Sequence, residues 1–508
     1  MKNYLFLILF LISYSVVGQN VDLNKIDQYI EKAVKDWDAP GLSVAIVKDG
    51  EIVHQKGYGE LEKGNGIRPD EHTLYAIASN TKAFTSAIIA QLVEEGKLDW
   101  DDPVQRYLPY FEIYDPQISS LVTVRDLLSH RVGLGTFHGD VIWYRSDFSG
   151  EEIIKRIKHV KQSYPFRSGY GYSNLMFITA GELIEKVTGK SWEENVRMRL
   201  LNPVGMDRTI ASVKDLDSKG NYATPHIYRD GQHTPTEWVG WDNVQATGGL
   251  ISSVHDISKW MITNMNHGII NEDTLFSIAN RNQMWKPHAN ITRDHAKLNN
   301  TESHFSSYGL GWFLGDYKGN FHVRHGGGYD GMISAVHMLS DHKLGVVVLT
   351  NGVKVPTNAI SYYIFDRYLE KAEKDWSGDM LKNANNFYDQ DAENLKKLRK
   401  GKIKNAPPTF GINKIVGNYS SDTYGIIEIN EEMGKLMINF TRSPHLKAEL
   451  RHFNYDVYEI IWEYDQPWFS FGTVQFTKTN RNEVKGIEFD VPNYDFFFEE
   501  LNAEKIER

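Results

Sequence analysis

Ser79-Asn80-Thr81-Lys82 is the stretch that decides the fold, because an apolar helix pattern begins directly after it. Phe84, Ile88 and Leu92 recur every four residues, which predicts a buried helix that ends near Gly96. Residues three apart on a helix are neighbours, with Cβ atoms about 5–6 Å apart. Lys82 is therefore expected to reach back one turn to the hydroxyl of Ser79.

This pairing indicates nucleophilic chemistry at Ser79. A serine hydroxyl becomes a good nucleophile when an adjacent base takes its proton, and a lysine can be that base when burial lowers its pKa. The helix N-terminus would add backbone N–H groups that favour developing negative charge. The alternative is a helix-capping serine followed by a solvated lysine. Ser340-Asp341-His342-Lys343 repeats the pattern in a polar turn, and we interpret that copy as a chance match.

Two further short motifs each occur once in the chain. Tyr172-Ser173-Asn174 lies between a turn-rich stretch and a helix-like one, where catalytic groups are often held by a rigid scaffold. His325-Gly326-Gly327-Gly328 lies in a strand-like run, and its glycines let the strand approach a bound substrate closely. Taken singly, the tyrosine also fits the edge of a core and the glycines a bulge.

In the order S-x-x-K, Y-x-N and H-x-G, the three motifs resemble the serine β-lactamase and penicillin-binding-protein superfamily. The tyrosine of the second motif resembles the class C branch. The histidine of the third resembles its CubicO-type relatives, which include esterases and D-amino-acid peptidases. The resemblance covers roughly residues 20–376 and includes the similar segments 123–134 and 247–253.

The resemblance implies an α+β fold, in which an antiparallel sheet is flanked by helices and accompanied by an all-helical subdomain. It also implies a role for each motif residue. Ser79 would form a covalent acyl-enzyme, while Lys82 and Tyr172 would share the proton transfers, with either one as the base. The backbone N–H groups of Ser79 and Gly328 would hold the oxyanion. Asn174 would donate to a substrate amide oxygen or to Lys82.

His325 stands where the resembling lactamases and carboxypeptidases carry a lysine that helps anchor a substrate carboxylate. Its unperturbed pKa near 6.5 predicts weak carboxylate binding at neutral pH and a gain of such activity toward acid pH. Gly326 and Gly327 would lie along the bound substrate. Four aromatic residues in predicted loops are candidates for the pocket wall, although surface or core packing explains any single one of them better: Trp143, Tyr144, Trp241 and Tyr329.

Composition and charge narrow the class of protein. The chain has 508 residues, too many for one ordinary domain, and its apolar fraction of 41% is enough for a large core. A net charge of −10 gives no electrostatic footprint for nucleic acid, so the expected partner is a small-molecule or peptide substrate. The chain has no cysteine, which excludes disulfides and cysteine metal sites. We expect neither a metal nor a cofactor.

The N-terminal sequence predicts export. Residues 1–18 resemble a signal peptide, in which Lys2 precedes an apolar segment and Gly18 ends a small-residue cleavage site. The apolar run is too short for a stable membrane span, and no later segment is long enough. A periplasmic or secreted bacterial protein is therefore expected, with no membrane span after removal of the signal.

The pattern changes after Trp376. Residues 19–376 would form the hydrolase domain, and residues 377–410 a charged linker that ends near two prolines. From 411 to 508, short alternating strands with turn signals predict a small closed or nearly closed sheet. This part resembles the lipocalin-like domain behind some CubicO-type hydrolases. We expect it to restrict access to the pocket or to make the protein a homo-oligomer.

Several rival functions compete with this interpretation. The glycine run after His325 also matches the oxyanion loop of α/β-hydrolases, but the chain has no G-x-S-x-G elbow. A zinc site at His322 and His325 is disfavoured because their odd spacing on a strand directs them to opposite faces. A true class C-like β-lactamase or DD-carboxypeptidase, and a non-catalytic sensor or binding protein with the same fold, stay open.

Overall fold

The computed structural model describes residues 21–270, 273–292 and 301–506, so the predicted signal peptide lies outside the described residues. The α-helices are α1 (Leu23–Asp36), α2 (Thr81–Glu94), α3 (Pro116–Ser119), α4 (Val124–Leu128), α5 (Asp140–Trp143), α6 (Gly150–Ile154), α7 (Asn174–Thr188), α8 (Trp192–Val196), α9 (Asn202–Val204), α10 (Leu216–Lys219), α11 (Gln245–Gly248), α12 (Val254–Met265), α13 (Ile278–Met284), α14 (Thr357–Tyr368), α15 (Trp376–Lys400) and α16 (Ile412–Ile415).

The strands are β1 (Gly41–Lys48), β2 (Glu51–Gly59), β3 (Tyr75–Ala76), β4 (His226–Arg229), β5 (Gln232–Pro235), β6 (Ile251–Ser252), β7 (Ile269–Ile270), β8 (Asp273–Thr274), β9 (Ala289–Asn290), β10 (Ser306–Tyr308), β11 (Phe313–Tyr317), β12 (Asn320–Tyr329), β13 (Met332–Leu339), β14 (Leu344–Thr350), β15 (Gly417–Ser421), β16 (Gly425–Glu432), β17 (Lys435–Phe440), β18 (Lys447–Asn454), β19 (Val457–Trp462), β20 (Thr473–Lys478), β21 (Val484–Asp490) and β22 (Ala503–Lys505).

An eight-stranded antiparallel sheet forms the centre of the hydrolase part, in the order β2-β1-β14-β13-β12-β11-β10-β9. Its central strands β1 and β14 are buried on both faces, which explains why their sequences are continuous apolar runs and not alternating ones. Helices α1 and α14 cover one face through Ile26 and Ile360, and α12 packs against the other.

Helix α2 begins directly after the Ser79 turn, as the apolar pattern predicts. Its side chains are buried almost all round, which is the pattern of a helix enclosed by other elements. The ring of Phe84 stacks on Trp260 of α12, with centroids 4.2 Å apart. Helices α7, α8 and α11 pack against α2, α4 packs on α7, and together they form the helical subdomain. The α+β fold with an all-helical subdomain is therefore confirmed.

The C-terminal part is a closed eight-stranded barrel of β15 to β22. Closure pairs every strand with two neighbours and leaves no free edge. The short alternating strands predicted from 411 onward are present as β15 to β22, so the expected closed or nearly closed sheet is confirmed. The segment predicted as a charged linker contains α15, whose side chains are mostly exposed.

The barrel packs directly against the helical subdomain. Phe496 of the barrel lies against Tyr144, with ring centroids 4.1 Å apart, and both belong to one continuous apolar core. Arg442 of the barrel donates to both carboxylate oxygens of Glu152, at 3.0 and 3.2 Å. The hydrolase part and the barrel thus share their apolar interior.

Within the described ranges, none of the helices combines the length and apolarity that crossing a bilayer requires.

The shared core leads to a stability prediction for Phe496→Ala. Phe496 is buried and its ring also contacts Trp143, Trp468 and Phe469. We expect its truncation to lower the free energy of unfolding by about 3–5 kcal/mol because it leaves a cavity between the two parts. Urea unfolding followed by circular dichroism measures this change.

Phe387→Ala is the control, since the ring of Phe387 is 47% exposed. Its truncation should change the same free energy by no more than about 0.5 kcal/mol. Equal unfolding curves for Phe496→Ala and the wild type would show that the two parts do not share a core.

Candidate active site

Ser79 lies on a 3-10 turn, Ala78–Asn80, that leads into α2. The preceding residue, Ala78, has a φ of 45°, a left-handed conformation that costs free energy in a non-glycine residue. The β12 strand presses against this turn: a Cβ added to Gly327 would lie 2.2 Å from the carbonyl oxygen of Ile77. Gly327 is therefore needed for close approach, and Ser79 is held half-buried beside it.

Lys82 lies one helical turn after Ser79, as its spacing predicts. Its Nζ is 3.0 Å from Ser79 Oγ, 2.7 Å from Asn174 Oδ1 and 2.8 Å from the carbonyl oxygen of Thr247. The side chain is fully buried. Three oxygens therefore surround the amine, and the amide and carbonyl oxygens among them can only accept hydrogen bonds.

The burial of Lys82 sets its proton affinity. Desolvation penalises the ammonium ion and lowers the pKa of Lys82 well below its ordinary value. The nearby carboxyl of Asp140 acts in the opposite direction and raises the pKa of Lys82. The amide of Asn174 lies between the two groups and is hydrogen-bonded to both. A lysine in these surroundings can exist as a neutral amine near neutral pH, which is the form that accepts a proton.

Tyr172 lies immediately before α7, at the junction of loop and helix that the sequence predicts. Its ring lies 4.9 Å from Lys82 Nζ, measured to the ring centroid, and stacks with Phe313. Burial raises the pKa of the Tyr172 hydroxyl, while Ser79 favours its ionised form. Ser79, Lys82 and Tyr172 are thus brought together at one place, with Lys82 and Tyr172 buried and Ser79 half-buried.

Asn174 differs from its expected role. The expected role is that of a donor to Lys82 or to the substrate, but in the structure Asn174 Oδ1 accepts from Lys82. Its Nδ2 donates to Asp140 Oδ2 at 2.6 Å, and the Thr247 hydroxyl donates to the same Oδ1 at 2.9 Å. The amide of Asn174 is therefore occupied within the protein on both sides.

His325 is buried in β12, with both ring nitrogens in use. Nδ1 donates to the carbonyl oxygen of Gly326 at 2.6 Å, so in the neutral ring Nε2 accepts from the hydroxyl of Tyr308 at 2.8 Å. Burial, with a smaller contribution from the charge of Lys82, lowers the pKa of His325 to about 3. The expected gain of charge toward mildly acid pH is therefore wrong, because the imidazole stays neutral there.

His322 lies on the other side of the strand, as its odd spacing from His325 predicts. Its Nε2 is 3.0 Å from Nδ1 of His337, and both rings pack against Phe365 of α14. His322 and His325 therefore point to opposite faces of β12.

The glycine run leaves backbone groups open beside Ser79. Strand β11 pairs with β12 only as far as Arg324, so Gly326, Gly327 and Gly328 have no strand partner on that side. Gly326 is exposed and Gly328 half-buried. A Cβ added to Gly328 would lie 3.2 Å from Cη2 of Trp468, so the barrel reaches the position predicted to complete the oxyanion site.

The four aromatic candidates form one cluster. Trp143, Tyr144 and Tyr329 are buried, and Trp241 is half-buried between Trp143 and Tyr329, with both centroid distances 5.2 Å. Asp330 lies at their centre and accepts from the Tyr144 hydroxyl at 2.7 Å and the Trp241 indole at 3.2 Å. The cluster joins the end of β12 to the barrel.

Three residues of the site escaped the sequence analysis. Thr247 lies in a segment whose similarity to the family was noted, so that signal could have identified its carbonyl. Asp140 follows an ordinary turn at Gly139, and Trp468 lies in a barrel loop remote in sequence from every motif. Neither residue carries a local pattern that would identify it.

Both parts of the chain are similar to known protein families. The model of the Beta-lactamase family matches residues 26–368, and the model of a domain of unknown function, DUF3471, matches residues 401–505. Unguisins hydrolase ungD' of Aspergillus campestris is 30% identical over 78% of this chain and 76% of its own length. Unguisins hydrolase ungD of Aspergillus violaceofuscus is 24% identical over 83% of this chain and 79% of its own length.

A solved structure resembles both parts of the chain. The octameric penicillin-binding protein homologue from Pyrococcus abyssi superposes with a TM-score of 0.61 and 21% identity, covering 93% of this chain and 98% of its own. At this identity the likeness establishes the fold. With a family model that spans most of the hydrolase part and a hydrolase among its relatives, the chain belongs to the beta-lactamase family and is a serine hydrolase of that superfamily.

Proposed function

We propose that this protein is an exported, CubicO-type serine hydrolase of the class C-like branch, which cleaves an ester, amide or peptide bond through a covalent acyl-enzyme on Ser79. The observation that carries the proposal is the contact between Lys82 and Ser79. A fully buried lysine with a lowered pKa lies 3.0 Å from a half-buried serine hydroxyl. This is the arrangement that activates a serine nucleophile.

Acylation begins with proton transfer from Ser79. As Oγ attacks the substrate carbonyl carbon, its proton passes to neutral Lys82, since burial raises the pKa of Tyr172 and disfavours its ionised form. The carbonyl π electrons move to oxygen and form a tetrahedral oxyanion. The same proton is then delivered to the leaving alkoxide or amine as the bond to carbon breaks, which leaves an ester on Ser79.

The oxyanion is stabilised by backbone N–H groups of Ser79 and Gly328. One belongs to the turn that starts α2, and the other to the open side of β12. Water then attacks the acyl ester and transfers its proton to the Lys82–Tyr172 pair. That pair returns a proton to Ser79 Oγ as the acid product leaves, so the protein ends in its starting state.

The preferred substrate carries no carboxylate next to the cleaved bond. His325 supplies no positive charge there, because its pKa is about 3 and Tyr308 and the Gly326 carbonyl occupy its ring nitrogens. Esters, amides and peptides with a blocked or distant carboxylate, including D-residue peptides, therefore suit the site better than penicillins. The 30% identical fungal relative is an unguisins hydrolase, which supports hydrolysis as the reaction.

The barrel restricts the size of the substrate. Trp468 lies against Gly328, whose backbone N–H is the proposed second donor to the oxyanion. The loop carrying Phe496 packs beside Trp143 and Tyr144, in the aromatic cluster that joins the end of β12 to the barrel. Self-association of the whole chain stays a prediction, as does the periplasmic or secreted location.

The first functional prediction concerns the nucleophile. Ser79→Ala should abolish turnover and labelling by a fluorophosphonate probe, because no other side chain can form the acyl-enzyme. Lys82→Ala and Tyr172→Phe should each lower the rate on the order of 10²–10⁴-fold through loss of proton transfer. Ser340→Ala is the control, and it should leave labelling unchanged, since Ser340 lies in the turn before β14. Wild-type hydrolysis by Ser79→Ala would remove the mechanism.

A second prediction concerns substrate class. Purified residues 19–508 should turn over p-nitrophenyl esters or aminoacyl anilides faster than nitrocefin. For any substrate with a carboxylate, activity should not increase between pH 7 and pH 5, because His325 stays neutral throughout that range. Nitrocefin turnover far above every ester and anilide at neutral pH would instead identify a true β-lactamase, and no Ser79 acylation by any of them would identify a non-catalytic binding protein.

A third prediction concerns Trp468. Trp468→Ala should raise kcat/KM for bulky acyl esters relative to acetyl esters by on the order of tenfold, because it opens space over Gly328. Trp462→Ala is a matched control, since this half-buried indole packs on Phe469 and Phe498 within the barrel. An unchanged ratio of bulky to acetyl ester for Trp468→Ala would show that the barrel does not select substrates.

A further inference from the structure

Asp140 is a buried carboxyl group behind the catalytic group, and neither the motifs nor the mechanism above uses it. It begins the short helix α5, and its Oδ2 accepts from Asn174 Nδ2 at 2.6 Å. Through Asn174 it is joined to Lys82, whose Nζ is 2.7 Å from Asn174 Oδ1. Asp140, Asn174, Lys82 and Ser79 thus form one chain of hydrogen bonds.

Asp140 determines which way the amide of Asn174 faces. The amide has one end that donates and one that accepts, and an ionised carboxylate, the form that Asp140 takes above about pH 8, can only accept. The NH₂ group must therefore face Asp140, which turns Oδ1 toward Lys82. Thr247 also contacts Oδ1, but a hydroxyl can donate or accept and so imposes no direction.

The direction of the amide controls the lone pair of Lys82. A neutral amine has two N–H bonds and one lone pair. Asn174 Oδ1 and the Thr247 carbonyl take the two N–H bonds, which leaves the lone pair for the hydroxyl of Ser79. If the amide turned over, its NH₂ group would donate to this lone pair and compete with Ser79 for it.

We propose that Asp140 is a positioning residue for the reaction, which fixes the amide of Asn174 so that the lone pair of Lys82 is directed at Ser79. The inference rests on the proposed function, because it assumes that Lys82 takes the proton of Ser79. Asp140 itself does not contact the reacting atoms in this scheme; it acts through Asn174.

The barrel holds Asp140 in place. Glu500 of the barrel accepts from the backbone N–H of Gly139 at 2.7 Å, and its other oxygen lies 2.9 Å from His138 Nδ1. Gly139 has a φ of 82°, so this turn precedes Asp140 in a conformation that glycine adopts readily. The turn that carries Asp140 is therefore tied to the barrel.

The carboxyl group of Asp140 titrates at a higher pH than an ordinary aspartate. Burial raises its pKa to about 8, with a further contribution from the nearby charge of Asp495, whereas Lys82 favours its ionised form. Asp140 raises the pKa values of Lys82, Tyr172 and His138 in turn. Above pH 8 the ionised carboxyl therefore holds protons more firmly on Lys82 and Tyr172.

The test compares Asp140→Asn and Asp140→Ala with the wild type. The readouts are p-nitrophenyl ester hydrolysis and the rate of fluorophosphonate labelling of Ser79, each from pH 6 to pH 10. Asp140→Ala should lower kcat on the order of 10²-fold, because the lone pair of Lys82 is no longer directed at Ser79. KM should change little, because Asp140 does not contact the substrate. Asp140→Asn should lose less, because its amide can present either an oxygen or an NH₂ group to Asn174. The wild-type profile should show an ionisation near 8 that both variants lack.

Asp366→Asn is the matched control. Asp366 is a buried carboxyl in α14 that accepts from Tyr317 and Trp376, on the face of the sheet opposite the helical subdomain. The Asp366→Asn substitution should lower the melting temperature and leave the pH profile of hydrolysis by the folded enzyme unchanged. Asp140→Asn retains side-chain volume and neutral polarity, so it provides a folded variant even if Asp140→Ala does not melt cooperatively.

The outcomes separate this inference from the proposed function. Wild-type protein that is not labelled at Ser79 would remove both. Wild-type protein that is labelled, together with Asp140→Asn and Asp140→Ala that keep its kcat and its ionisation near 8, would overturn the role of Asp140 alone. The positioning role is supported if kcat falls in both variants and the ionisation near pH 8 is absent from both pH profiles.

Discussion

The burial of the Lys82 amine without an ion-pair partner is the constraint on which the site depends. A buried ammonium ion is costly unless it is paired, so the protein favours the neutral amine and surrounds it with oxygens. Thr247 comes from α11 and Asn174 from α7, and both must meet the start of α2 at one point. The helical subdomain can be understood as the frame that keeps these three segments in register.

Local sequence was enough to predict the parts of this site that lie along one element. The spacing of Ser79 and Lys82 places both at the start of α2, and Tyr172 falls at the junction before α7 because turn and helix signals meet there. The barrel could also be predicted from the sequence, since apolar and polar residues alternate along its strands and turn residues separate them. In each case the physical cause acts over a few neighbouring residues.

Other features depend on contacts between distant segments, and no local pattern encodes them. The direction of the Asn174 amide is set by Asp140, the pKa of His325 by its burial, and the surroundings of Gly328 by a barrel loop. The acid-side titration inferred for His325 was wrong for this reason: a reference pKa describes a solvated imidazole, and the fold removes the solvent.

The continuous core between the helical subdomain and the barrel changes what the connecting helix has to do. Beyond its buried first residues, Trp376 and Ser377, α15 is largely exposed, while the two parts adhere through Phe496, Tyr144 and their neighbours. The covalent link along α15 is thus separable from the non-covalent assembly of the site. A protease cut in this helix would yield a nicked enzyme of two fragments that stay associated, and a gene split at the same point would encode a complementing pair.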